Sequence, residues 1–87
     1  MTRLSDRLYD LPPSAKLVLK VLAIDGTMTQ GQLATETRLS KRTVRDALER
    51  LRNVDVIDER VDFRDARRSL YSVSDSVAFG ELAGGED

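Results

Sequence analysis

RLSKRTVRDALERLRN, residues 38–53, decides how this chain folds. Its apolar residues Val44, Ala47, Leu48 and Leu51 recur at the three- and four-residue steps that line up side chains on one face of a helix. Six basic residues stand against two acidic ones over the same stretch. A basic amphipathic helix of this kind suits three surroundings: a membrane surface, a groove on a partner protein, or the major groove of DNA. The sequence on either side has to choose among them.

Just upstream, Ser40 is placed to cap this helix, and Arg38-Leu39 reads as a tight turn. Before the turn, Thr29 followed by Gln32 forms the pattern of a capping box, so a second helix starts there, turns Leu33 and Ala34 inward and ends near Thr37. Pro12-Pro13 opens an earlier helix running to about Asp25, with Gly26 ending it in the left-handed position that suits glycine. That first helix carries two apolar stripes, Ala15, Val18, Leu19 and Leu22 on one side and Leu17, Val21 and Ile24 on the other. A surface helix needs only one such stripe. The second meets the N-terminal arm, the C-terminal tail or another subunit.

After Asp55 the periodicity changes from 3.6 to two. Residues 56–62 and 69–73 read as strands, and the polar FRDARR between them, residues 63–68, reads as a hairpin tip. Phe63 and Tyr71 read as packing residues of that hairpin rather than as base-stacking platforms, with Tyr71 and Val73 facing the core together. Residues 1–11 form an N-terminal arm or a short helix, residues 12–74 the domain, and residues 75–87 an acidic, mobile tail.

Charge follows the same division. All 14 basic residues and 11 of the 15 acidic ones fall in residues 1–74, a net of +3, while Asp75, Glu81, Glu86 and Asp87 give the rest a net of −4. The pattern fits a polyanion-binding body with an acidic appendage, or equally a tail that only aids solubility. The chain has no Cys and no His, which removes disulfides, thiol nucleophiles, zinc sites and the usual general base. No glycine-rich phosphate loop or helical metal motif is present, so the expectation is a non-enzyme without cofactor. No run of about 20 apolar residues and no apolar leader segment is visible, so the chain is expected in the cytoplasm and off the membrane.

Three helices followed by a β-hairpin is the order of a winged helix-turn-helix, a mainly α fold in which the third helix offers its exposed face to the major groove. The narrow Val/Ala/Leu face of residues 38–53 argues against a membrane-surface helix, and its place inside a domain argues against a groove-binding peptide. TQGQLATETRLSKRTVRDALERLRNVDVIDERVDFRDARRSLYSV, residues 29–73, resembles the winged-helix domain of the MarR-type (multiple-antibiotic-resistance regulator) transcription factors and their archaeal relatives. The resemblance rests on the SKRTV start of the third helix and on the wing stretch DFRDAR, residues 62–67, where that family reads D-x-R-D-x-R.

The resemblance implies roles. Lys41, Arg42, Thr43 and Arg45 would reach base edges from the first turns of the third helix, where Arg can engage guanine O6 and N7 with two hydrogen bonds. Ser40, Thr29 and Gln30, at helix N-termini, would hold phosphate oxygens. Arg67 would enter the minor groove from the wing, oriented by Asp65, while Arg64 and Arg68 meet phosphates. Three departures from the family stand out. Arg38 and Asp55 occupy places where the family usually has Gly, so both are expected to carry the cost of a left-handed backbone. Eleven residues before Pro12 and fourteen after Val73 leave little chain for the family's extra helices, so no drug-sized ligand pocket is expected.

The sequence thus reads as a sequence-specific double-stranded DNA-binding protein and transcriptional regulator, with its recognition helix in the major groove and its wing in the minor groove. The competing reading is a winged-helix module for protein–protein contact without DNA binding. Cations at Lys41, Arg42, Arg45, Arg64, Arg67 and Arg68 favour DNA. Leu4, Leu8, Leu17, Val21 and Ile24 would form a homodimer, setting two recognition helices about 34–36 Å apart, or else fold back within one chain.

Overall fold

Proline and glycine set the limits of the first helix. In the computed structural model, which describes residues 8–74, helix α1 spans Pro13–Asp25. Pro12 sits at its N-cap in extended backbone, and the Gly26 N–H closes its end on the Leu22 carbonyl at 2.9 Å. Gly26 does not take the left-handed helical conformation expected of it. Its φ of 87° comes with a ψ of −146°, an extended positive-φ conformation that only glycine adopts freely. The chain therefore leaves α1 directly into strand β1, Met28–Thr29.

Helix α2, Gln30–Thr37, starts at the expected capping box: Gln32 N donates to Thr29 Oγ1 at 3.1 Å, and Thr29 N donates back to Gln32 Oε1 at 2.8 Å. Two of the helix's orphan donors are thereby satisfied. Its end is held by Thr37, whose hydroxyl donates to the Leu33 carbonyl at 2.6 Å and accepts from Leu39 N at 3.3 Å. Arg38 makes the turn at φ 62°, and Ser40 Oγ, accepting from Thr43 N at 3.1 Å, opens helix α3, Lys41–Asn53. Asp55 follows α3 at φ 60°, so both non-glycine residues expected in left-handed backbone are found there.

Strands β2, Ile57–Asp62, and β3, Asp65–Val73, form the wing, and β1 adds to the outer side of β3 in the antiparallel order β1-β3-β2. Two expectations are corrected here. β1 was not foreseen; Met28 and Thr29 pair with Tyr71 and Leu70. The hairpin tip is not FRDARR but Phe63-Arg64 alone, because Asp62 pairs with Asp65 and β3 begins immediately after the tip. Val61 pairs with Ser69 one step earlier, so Ala66, Arg67 and Arg68 bulge out opposite a single step of β2.

The core joins all these pieces. Ala15, Val18, Leu19 and Leu22 of α1, Leu33 of α2, Val44, Ala47, Leu48 and Leu51 of α3, and Met28, Val56 and Ile57 form one buried cluster. Burying a leucine of this kind stabilises the fold by about 1.5–3 kcal/mol. Tyr71 and Val73 pack on the cluster from β3, and Leu8, Leu11 and Val21 from the N-terminal side. The second stripe of α1 is therefore split: Val21 is half-buried against its own core, while Leu17 and Ile24 are exposed. Of the residues expected to pair two chains, Leu8 likewise packs on the core, and Leu4 lies outside the described residues, as do the arm over residues 1–7 and the tail over residues 75–87.

Candidate nucleic-acid interface

Burial of one face of α3 dictates what the other presents. With Val44, Ala47, Leu48 and Leu51 turned inward, Lys41, Arg42 and Arg45 are exposed over the first turns. None of the three forms an ion pair among the described residues, so their charge is available to an outside partner. The acids of this helix, Asp46 and Glu49, come only afterwards, which leaves its N-terminal part basic. There the backbone N–H groups and the helix dipole add to the positive potential.

The start of α2 is tied to this surface. Gln30 Nε2 donates to the Lys41 carbonyl at 3.2 Å, bridging the beginnings of α2 and α3. Between them and the wing lies a cleft of about 460 Å³ whose lining includes Gln30, Lys41, Arg45, Arg67, Arg68 and Tyr71. Cations from two separate elements thus converge on one concavity. Thr29 also borders the cleft, but it is 7% exposed and its hydroxyl and N–H are both engaged in the capping box. Its expected phosphate contact is not supported by this geometry. Ser40 Oγ remains exposed, while accepting from Thr43 N and donating to Thr43 Oγ1 at 2.9 Å. Arg42 and Arg64 are exposed but do not line the cleft.

The wing motif D-x-R-D-x-R folds as two successive side-chain-to-backbone turns. Asp62 Oδ1 accepts from Arg64 N at 2.9 Å, and Asp65 Oδ1 accepts from Arg67 N at 3.1 Å. An aspartate accepting the amide two residues on is the Asx turn, which fixes the chain without requiring glycine. Asp62 is 5% exposed and lies 3.7 Å from Arg64 Nε, an ion pair whose carboxylate is buried. Asp65 is more open and holds the Arg67 guanidinium at 3.2 Å. The Arg67 side chain keeps the Asp65 carboxyl below the usual carboxylate range, helped by the Arg67 backbone N–H and the positive charge of Arg68.

At the other end of α3 a second network ties the helix to the wing. Arg52 Nη1 meets Glu59 Oε1 at 2.9 Å, and the Tyr71 hydroxyl donates to Glu59 Oε2 at 3.4 Å. Partial burial, and then the neighbouring Glu59 charge, push the Tyr71 hydroxyl pKa upward, so it stays a donor. Sequence reasoning did not find this network, since only the cross-strand pairing of Glu59 with Tyr71 reveals it. Phe63 is the clearest correction: expected to pack, it is 99% exposed at the tip, because the two-residue loop leaves nothing beside it. Among the described residues no group of three or more acids is placed to hold a metal ion, and no helix is long and apolar enough to cross a membrane.

Known proteins share this fold. The sequence matches the TFIIE alpha subunit family over residues 6–76. No curated protein matches it significantly. Among solved structures, a probable transcriptional regulator from Pseudomonas aeruginosa superimposes with a TM-score of 0.72 at 31% identity, over 77% of this chain and 51% of that one. A Lactococcus lactis ZitR mutant in apo form gives 0.72 at 23% identity, over 80% and 52%. Reduced AbfR bound to DNA gives 0.75 at 21% identity, over 91% and 59%. This chain spans about half the length of these structures. ZitR and AbfR are MarR-type winged-helix regulators, so the fold implied by the wing and recognition-helix motifs is the fold found. With the family match running over most of its length, the chain belongs to the TFIIE alpha subunit family and has the winged-helix fold of the MarR-type regulators.

Proposed function

We propose that this chain binds double-stranded DNA sequence-specifically and acts as a transcriptional regulator, with α3 in the major groove and the wing at the minor groove. One observation carries the reading: Lys41 and Arg45 of α3 and Arg67 and Arg68 of the wing line one cleft, although they lie more than twenty residues apart in sequence. A duplex has the dimensions to engage both at once, the helix reading base edges and the wing arginines following the backbone into the adjacent groove. Support also comes from AbfR, a fold relative solved on DNA. In this reading Lys41, Arg42, Thr43 and Arg45 reach base edges, while Gln30, Ser40, Arg64 and Arg68 hold phosphates. Asp65 orients Arg67. The Thr29 side chain serves the fold.

The test is fluorescence anisotropy on a labelled duplex across a range of salt. Arg42→Ala is expected to weaken binding to a selected site by about 1–3 kcal/mol with the melting temperature unchanged. Arg67→Ala is expected to reduce the salt slope by about one unit. Binding that does not respond to salt, or a salt slope untouched by Arg67→Ala, contradicts the reading.

A second reading, a protein-contact module, has one observation in its favour. Ile24 is 72% exposed and Leu17 39% exposed on α1, and neither lines the basic cleft. A homodimer or a partner seated there is compatible with DNA binding by α3. Sedimentation of Ile24→Asp against the parent chain separates the two: a drop in mass identifies a homodimer, and no change leaves α1 to a different partner.

A further inference from the structure

Phe63 is the one large apolar side chain that the fold places at the extreme of the wing, and it is 99% exposed. A single exposed apolar residue is ordinary on a protein surface. What sets Phe63 apart is the construction around it. The tip consists of Phe63 and Arg64 alone, closed by Asp62–Asp65 pairing. The nearly buried Asp62 carboxylate clamps the Arg64 amide at 2.9 Å, so the tip is held in one geometry. The neighbouring Arg64 and Arg67 side chains are each 91% exposed. An aromatic ring thus projects from a clamped backbone at the tip of the wing, between two arginines that are themselves aimed by Asp62 and Asp65.

We infer that Phe63 is an apolar wedge that enters the minor groove and partly unstacks a base step there, adding preference for easily opened steps. The inference rests on the DNA-binding reading above and names a specificity-determining residue within it. The minor groove is about 6 Å wide, and a single side chain projecting from a two-residue tip is slender enough to reach its floor, where the paired strands behind it are not. Minor-groove proteins that kink DNA use basic or amide side chains to read the groove and frequently insert an apolar wedge, Phe among them, between base steps. The exposed Arg64 and Arg67 guanidinium groups beside the ring are matched by the phosphates and negative potential of a minor groove, which favours DNA as the partner. Pyrimidine–purine steps unstack most readily, so TA-rich centres are the preferred targets.

The probe is an alternating A–T duplex carrying 2-aminopurine in place of adenine at scattered TA steps, titrated at low salt with the parent chain, Phe63→Ala and Phe63→Leu. Unstacking raises 2-aminopurine fluorescence. The parent chain is expected to raise it. Phe63→Leu, which keeps an apolar wedge, is expected to retain most of the rise. Phe63→Ala is expected to lose it and to bind about tenfold more weakly, the order of effect of re-exposing one aromatic ring. Because Phe63 bears no charge and is fully exposed, Phe63→Ala is expected to keep the parent's salt slope and melting temperature. A parent chain that binds without any fluorescence rise, or a Phe63→Ala variant that matches it in rise and affinity, overturns the wedge and leaves DNA binding standing. A parent chain that fails to bind at low salt overturns the DNA-binding reading and the wedge together.

Discussion

The helices and the wing tip hold their shape by different means. Leu22, Leu33 and Leu51 are buried to within 1% exposure in a single apolar cluster, whereas the wing tip exposes Phe63 and is fixed by two aspartates that accept backbone N–H groups. Apolar packing is non-directional and tolerates rearrangement of what lies outside it. Hydrogen-bonded clamps are directional and set the aim of particular side chains. The core therefore makes a platform, and the clamps point cations and a ring away from it. In a chain this small, each half depends on few interactions, so single substitutions are able to separate them.

The largest expected effect is on the core. Leu22→Ala should cost about 2–5 kcal/mol in urea denaturation, enough to unfold much of a small domain. A cost below about 1 kcal/mol would mean that α1 is not part of the cooperative unit. Next comes the wing: Asp62→Ala leaves the Arg64 amide without its acceptor, at a local cost of about 1–3 kcal/mol. Hydrogen exchange should quicken at Arg64 while amides of α1 and α3 keep their protection. Equal loss of protection throughout would erase the distinction between clamp and core.

A smaller effect of opposite sign is expected where the backbone itself is strained. Arg38, at φ 62°, occupies left-handed backbone, so Arg38→Gly should raise stability by about 0.5 kcal/mol, the relief of strain outweighing glycine's added chain entropy. A loss of stability would show that the Arg38 side chain contributes through contacts. The smallest effect is a titration. The Asp65 carboxyl is held below its ordinary value of 3.8 by Arg67, so the clamp is fully present above pH 3.8 and is lost only as pH falls through the lower folded value. Following the Asp65 carboxyl carbon by NMR should give a midpoint below 3.8; a midpoint at or above it would mean that Arg67 does not hold the carboxylate in solution.

How far the sequence revealed all this depends on the length scale of each signal. Caps are local, so Thr29 with Gln32, Ser40 and Pro12 could be read directly, and helical periodicity identified the buried faces of α1 and α3. The left-handed positions of Arg38 and Asp55 followed from comparison with a family that uses glycine there. Strand β1 escaped because two residues show no period, and only its pairing with Tyr71 and Leu70 makes it a strand. The wing tip is shorter than the charge-rich FRDARR suggests. Its fold is decided by which carboxylate accepts which amide, and the two D-x-R steps carried that information. Thr29 was legible as a cap, but its burial was not, and the convergence of Arg67 and Arg68 with Lys41 and Arg45 depends on how the wing folds back toward α3.

The central claim is that one basic cleft, built from α3 and the wing, engages duplex DNA. The most direct measurement is titration of the ¹⁵N-labelled chain with a duplex of about two helical turns, following each amide at low and high salt. Shifts are expected at Gln30, across Ser40 to Arg45 and across Phe63 to Arg68, fading together as salt rises. No shifts at low salt, or shifts confined to α1 around Leu17 and Ile24, would contradict the claim and make α1 the binding face.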